Sequence, residues 1–364
     1  MYKRMSVKRI YRPCQESRLW ILKSTFVVSI VLLLVYLFIA NSALDRTDLK
    51  PCYRRKDNNS NNLVEYLVDV MDSDRMPVPD NTIFFYITTC FESGRIELKP
   101  REACAIESAA KHNPNRDIFV LFISPVGFTD IIPSSVESIL KYPNVHLRNN
   151  DMWKYAAGTP LDQWLRSDAM FYSNYLYEHM SDVLRFLTLY KFGGIYADTD
   201  VVVKKSFDGL GLNFAGDDWG TVVGCSVLGL SVTGLGHKIA AHCLNEIIHH
   251  YDGKEFIENG PWVFTRTLNH LCQTSDRNLW SIDQCHGFRL LPKNTFFPIA
   301  WINWLWYFNA TFTKSTLQAS EDSTLIHVWN DRSRNTRLEL GSNTAYELTA
   351  EQNCPIVYST SDYL

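Results

Sequence analysis

The stretch Ser181 to Asp200, SDVLRFLTLYKFGGIYADTD, constrains the fold more than any other part of the chain. It reads as a helix, a glycine turn at Gly193-Gly194, and a short strand ending in two carboxylates one residue apart. Side chains at i and i+2 of a strand point the same way, so Asp198 and Asp200 are expected to converge on one ion. Oxygen ligands of this kind select a hard divalent cation, the sort that neutralises a diphosphate. A second Asp-x-Asp, Asp72-Ser73-Asp74, lies in a polar stretch with no strand before it and reads as surface acids in a turn. Asp198 and Asp200 differ because Leu184, Leu187, Leu189, Tyr190, Phe192, Ile195 and Tyr196 surround them with core-type sequence. Carboxylates at the end of an apolar run must be paired or metal-bound when buried. The pattern therefore points to an enzyme that handles a nucleotide-diphosphate donor.

The amino end carries the next constraint. Residues 24–44 hold no charge and are mostly Val, Leu, Ile and Phe, long enough to cross a bilayer as one helix. Seven Lys and Arg against the single acid Glu16 precede it, which predicts a cytoplasmic tail over 1–23 and a far-side chain after Leu44. A cleaved signal peptide is the rival, with Ala40-Asn41-Ser42 as its site, but the apolar run and its flank are long for one. Of 36 basic and 39 acidic residues in the whole chain, 7 and 1 belong to the first 44, leaving 29 and 38 and a net charge of −9 beyond. An acidic far-side portion excludes nucleic acid as the partner, because a phosphate backbone demands a basic face.

Eight of the nine cysteines follow the anchor, where an oxidising compartment permits disulfides; Cys272–Cys285 and Cys90–Cys104, each bracketing a short loop, are the expected pairs. No cysteine pair has zinc-finger spacing, so a zinc site is rejected. Asn58-Asn59-Ser60 and Asn309-Ala310-Thr311 are glycosylation acceptors under this topology. The polar residues 45–80 read as a stem, and 81–364 as one α/β domain without internal repeats. Strands are expected over 83–88, 117–124 and 145–147, and helices over 101–111 and 178–192. This alternation suggests a mostly parallel sheet flanked by helices. Ligands of such sheets sit beyond the carboxyl ends of the strands, where Thr88 and Asp198 both fall.

Ser181-Asp182-x-x-Arg185 followed by Lys191-Phe192-Gly193-Gly194-Ile195-Tyr196-x-Asp198-x-Asp200 resembles the alpha-1,4-glycosyltransferase family, which includes alpha-galactosyl-, N-acetylgalactosaminyl- and N-acetylglucosaminyltransferases. The similarity extends through Ile83-Phe84-Phe85, Glu107-Ser108-Ala109-Ala110, Gly260-Pro261 with Thr265-Arg266, Phe297-Pro298-Ile299 with Trp301, His327-Val328-Trp329-Asn330 and Cys354-Pro355. It implies a GT-A type domain anchored in the Golgi membrane. It also implies a retaining enzyme that moves Gal or GalNAc from UDP-Gal or UDP-GalNAc to a glycolipid, with Mn2+ as the metal. On the family pattern Asp198, Asp200 and His327 hold the metal, while Asp182 and Arg185, with Thr88, Tyr196 and Asp198, face the donor. Two positions depart from it: Ile87 stands where the family has Glu, and Val223 where it has Asn. No nucleophile is identifiable; Asp217 and Asp218 beside Trp219 are the acids to test, and Asn259 before Gly260-Pro261 is a candidate contact. The aromatic stretch 296–308 suits either a packed core or a place near sugar and membrane. Transfer of N-acetylglucosamine to protein-linked glycans, or an inactive partner subunit, are the alternatives. A glycoside hydrolase fits poorly, because the two carboxylates sit too close to flank one bond.

Overall fold

A computed structural model describes residues 28–31, 47–54 and 64–364. Residues 28–31 are helical; the rest of the expected tail and anchor, and Asn58 to Ser60, lie outside the described residues. Among the described residues no helix is long and apolar enough to cross a membrane. The unit from Arg46 to Leu364 is compact.

Its strands are β1 (Glu65–Tyr66), β2 (Thr82–Ile87), β3 (Asp117–Phe122), β4 (Gly127–Phe128), β5 (Val145–Asn149), β6 (Gly194–Ala197), β7 (Val201–Val203), β8 (Phe214–Gly216), β9 (Val227–Leu230), β10 (Arg289–Leu291) and β11 (Leu325–His327). Seven form one sheet in the order β10-β8-β9-β6-β2-β3-β5, in which only β9 runs against the others. The principal helices are α1 (Pro100–His112), α2 (Leu176–Phe192), α3 (Gly234–His250), α4 (Val263–Cys272), α5 (Ala345–Asn353) and α6 (Pro355–Thr360). The expected elements all form, with no end moved by more than two residues.

The continuous apolar runs of β2 and β3 follow from burial on both faces. Phe84, Tyr86, Phe119, Leu121 and Tyr196 pack with residues of α2, α3 and α4. Their alternate neighbours Ile83, Phe85, Ile87, Ile118, Val120 and Ile195 pack on the other face with α1, α5 and α6. Ile87, one of the two departures, is thus a core side chain. Glycine is required between α2 and β6: φ is +61° at Gly193 and +88° at Gly194, and a Cβ on Gly194 would lie 2.4 Å from the Thr82 carbonyl oxygen.

The stem expected over 45–80 is, in its described parts, packed on the domain. Cys52 and Tyr53 are buried, β1 pairs with β4, Val70 is fully buried, and Asp69 accepts a 2.8 Å bond from the Asp151 amide. Its polar composition hid a few well-spaced apolar anchors. Asp72, in the second Asp-x-Asp, pairs with Lys154 at the surface.

Among the described residues three disulfides form: Cys52–Cys90, Cys104–Cys354 and Cys272–Cys285. The expected Cys90–Cys104 pair is incorrect. Cys104 faces the other side of the sheet from Cys90, on α1, where the tail returns beside it. Glu107 adds to the same closure, its buried carboxylate accepting from the amides of Ile356 (2.9 Å) and Val357 (2.7 Å) at the start of α6. Cys225 and Cys243 are buried free thiols.

Non-reducing peptide mapping is expected to recover these three pairs, and a Cys90–Cys104 peptide would refute the arrangement. A Cys104→Ser/Cys354→Ser variant should lose about 2–5 kcal/mol of stability in denaturant unfolding.

Candidate active site

The carboxyl edge of β6 gathers groups that sequence alone places far apart. β6 ends at Ala197, so Asp198 and Asp200 stand in the turn before β7 rather than on the strand. The turn, not strand alternation, brings them together. β11 pairs antiparallel with β7, setting His327 opposite Val201, and the Val328 amide donates to the Asp200 carbonyl at 2.9 Å. The ligand atoms of Asp198, Asp200 and His327 consequently lie within 4.8 Å of one another. Two carboxylates and an imidazole are a donor set suited to a divalent first-row cation.

The three are not equivalent. His327 Nε2 lies 3.2 Å from Asp200 Oδ1, and the Asn330 amide donates to Asp200 Oδ2 at 2.7 Å. Burial pushes Asp200 up, but the imidazole and this amide outweigh it and hold the carboxyl below its usual range. His327 moves the opposite way: burial disfavours its charge, Asp200 overrides, and its affinity for a proton rises. Asp198 is raised by burial and by Asp200, against the pull of Arg185.

Arg185 organises the other half. Its side chain is 5% exposed, and Asp182, three residues earlier on the same face of α2, is 8% exposed. Nη2 lies 2.9 Å from Asp182 Oδ1 and 3.4 Å from Asp198 Oδ1. Nη1 donates to the Cys225 carbonyl (2.8 Å) and thiol (2.9 Å), while Nε donates to the Ser181 carbonyl at 3.3 Å. The guanidinium lies 4.6 Å from the centre of the Tyr196 ring, and the Tyr196 hydroxyl donates to Asp198. Burial, relieved only in part by Arg185 and reinforced by Asp198, pushes Asp182 up to about 7. Gly260 leaves room for this carboxylate, since a Cβ there would lie 2.2 Å from Asp182 Oδ1.

Of the other expected residues, Thr88 directly follows the neighbouring strand β2 at the same edge, its carbonyl receiving the Tyr53 hydroxyl at 3.0 Å. Asn259 spends its amide on structure: Oδ1 accepts from the Asp252 amide (3.0 Å), and Nδ2 contacts the Asp252 carbonyl (2.7 Å) and His179 Nδ1 (3.0 Å). Asp217 lies 3.2 Å from Arg277. Val223, the second departure, is fully buried, and its amide donates to Thr265 Oγ1 at 2.8 Å. Sequence reasoning missed Cys225 and the Asn330 amide as site groups; Gly260-Pro261 was the one legible sign that a backbone approaches Asp182.

Residues 99–219 match the glycosyltransferase sugar-binding region containing DXD motif, and residues 232–361 match the alpha 1,4-glycosyltransferase conserved region. Lactosylceramide 4-alpha-galactosyltransferase of Rattus norvegicus is 31% identical over 286 residues, spanning 78% of this chain and 76% of that one. The chain belongs to the alpha-1,4-glycosyltransferase family. It is a glycosyltransferase. The Homo sapiens enzyme of the same name is 30% identical over 284 residues, covering 78% and 77% of the two chains. Human alpha-1,4-N-acetylglucosaminyltransferase is 28% identical over 277 residues, covering 73% and 77%. Among solved structures, galactosyltransferase LgtC in complex with donor and acceptor sugar analogs aligns at 14% identity and a TM-score of 0.35 over 76% of this chain and 95% of that one. In the transferase, the DXD region supplies Asp198 and Asp200, and the alpha-1,4 region supplies His327.

A carboxyl whose pKa is raised by folding binds more protons in the native state, so its contribution to stability falls as pH rises above its ordinary value near 3.8. Asp182→Asn is therefore expected to remove a decline in stability between pH about 4 and about 7, read from denaturation midpoints across that range. Arg185→Met, which leaves two buried carboxylates without their cation, should cost about 3–5 kcal/mol near neutral pH.

Proposed function

We propose that the transferase moves galactose or N-acetylgalactosamine from its UDP-sugar to a glycosphingolipid with retention of the α configuration. In this reading residues 24–44 anchor a GT-A type domain, from about residue 81, in the lumen of the Golgi. The observation that carries it is the joining of the Asp198–Asp200–His327 cluster to the Asp182–Arg185 pair at one sheet edge. The relatives named lactosylceramide 4-alpha-galactosyltransferase support the choice of sugar and lipid. The named N-acetylglucosaminyltransferase relative favours a second reading, transfer of that sugar to a protein-linked glycan.

Asp198, Asp200 and His327 would hold Mn2+, whose charge would stabilise the diphosphate as the sugar–phosphate bond breaks. Asp200 is kept ionised by His327 and the Asn330 amide, so it is the pre-set ligand; Asp198 must shed its raised proton affinity. Arg185 holds Asp182 and Asp198 in place, its N–H groups directed at protein acceptors, and contributes its charge beside the donor. Asp182 supplies a carboxyl to the sugar hydroxyls, with Thr88 and Tyr196 lining the same edge.

UDP release by the detergent-solubilised full chain, measured across a panel of UDP-sugars, tests this. One donor should be turned over with Mn2+, with loss on chelation and at least about 100-fold loss in Asp200→Ala. Because protons compete for Asp198 and His327, Mn2+ binding should tighten as pH rises. No UDP binding with any donor would overturn the proposal.

A further inference from the structure

The loop after β8 carries two adjacent acids that the structure treats differently. Asp217 is clasped by Arg277 at 3.2 Å, with Lys293 at 4.0 Å. Asp218 has no cationic partner within 4 Å among the described residues, and its Oδ1 accepts only a local 2.9 Å bond from the Gly220 amide. Its Oδ2 lies over Gly224, where a Cβ would be 3.3 Å from that oxygen and 3.2 Å from Phe297 Cζ. The Phe297 ring is 5.4 Å from the His327 ring, and Gly224 immediately precedes Cys225, the anchor of Arg185. Asp218 thus stands between the two halves of the site. Burial and the neighbouring Asp217 raise its pKa to about 6, with Arg277 and His327 pulling the other way.

A lone carboxylate beside a diphosphate site repels the donor's phosphates and suits a neutral hydroxyl instead. Trp219, 47% exposed next to it, offers an aromatic face of the kind that meets a sugar ring. The loop is held in place from outside. Arg277, within the loop closed by Cys272–Cys285, donates to the carbonyls of Val222 (2.8 Å) and Gly220 (3.1 Å). We propose that Asp218 is the catalytic carboxylate that binds the attacking hydroxyl of a sugar acceptor, with Arg277 as its positioning residue. The acceptor oxygen, held on the face that UDP leaves, forms a bond to the anomeric carbon as the sugar–phosphate bond breaks, so the α configuration is kept. The bonding pair leaves on UDP, and the acceptor proton passes to Asp218 and on to solvent. This rests on the donor reading above.

The test uses the solubilised full chain with Mn2+, the donor chosen by the panel, and a soluble β-lactoside as acceptor. Asp218→Asn should lose about 100-fold or more in transfer while binding UDP like wild type. It should also lose an acid limb near pH 6, below which the protonated carboxyl cannot accept the proton. Asp218→Glu should recover part of the rate, Arg277→Lys should raise the acceptor KM, and Asp283→Asn in the same disulfide loop should stay within about twofold. Asp218→Asn that binds UDP and transfers within threefold of wild type would overturn the assignment, as would a trapped glycosyl adduct on Asp218. Absence of UDP binding in the wild type would remove the donor reading and this assignment with it.

Discussion

A guanidinium with 5% of its side chain exposed cannot be left without counter-charge, and the placement of Arg185 governs the rest of this molecule. Desolvating such a group costs several kcal/mol unless its hydrogen bonds and charge are matched. Here Asp182 and Asp198 supply the charge, the Ser181 and Cys225 carbonyls supply acceptors, and the Tyr196 ring covers one face. Satisfying one side chain thereby fixes α2 against the end of β6 and draws in the loop that carries Cys225. The close pass of Gly260 over Asp182 belongs to the same packing.

The remaining metal-ligand candidate comes by a longer route. His327 reaches the cluster because β11 pairs with β7, a strand of three residues that starts immediately after Asp200. So short a pairing holds little by itself. The chain beyond it is secured by Cys104–Cys354 and by the Glu107 carboxylate at the start of α6. Glu107 and Cys354 therefore hold down the C-terminal segment that follows His327.

Much of this was legible from residue order. Apolar runs over β2 and β3, the helix over 176–192 and the glycine turn each follow from local rules, and the Asp182, Arg185, Asp198, Asp200 and His327 set follows from motif context. What escaped depended on long-range packing. In sequence the 45–80 segment resembles a tether because few apolar residues do its anchoring, and spacing alone favours the nearer Cys104 over Cys52 as the partner of Cys90. Cys225 carried no signal, since a carbonyl's role as an arginine acceptor leaves no mark on residue type.

The charges of the site also explain why its carboxyls diverge. Asp182, Asp198 and Asp200 are three acids served by two cationic groups, Arg185 and a protonated His327. Asp200 has the imidazole and an amide to itself and is depressed, whereas Asp182 and Asp198 share one guanidinium and are both raised. Without further cation, one carboxyl is favoured to keep a proton near neutrality. A divalent ion against Asp198 and Asp200 would reverse that balance at Asp198, and it would leave Arg185 as the main counter-charge of Asp182. This uneven sharing of charge is what a cation and a diphosphate would together complete.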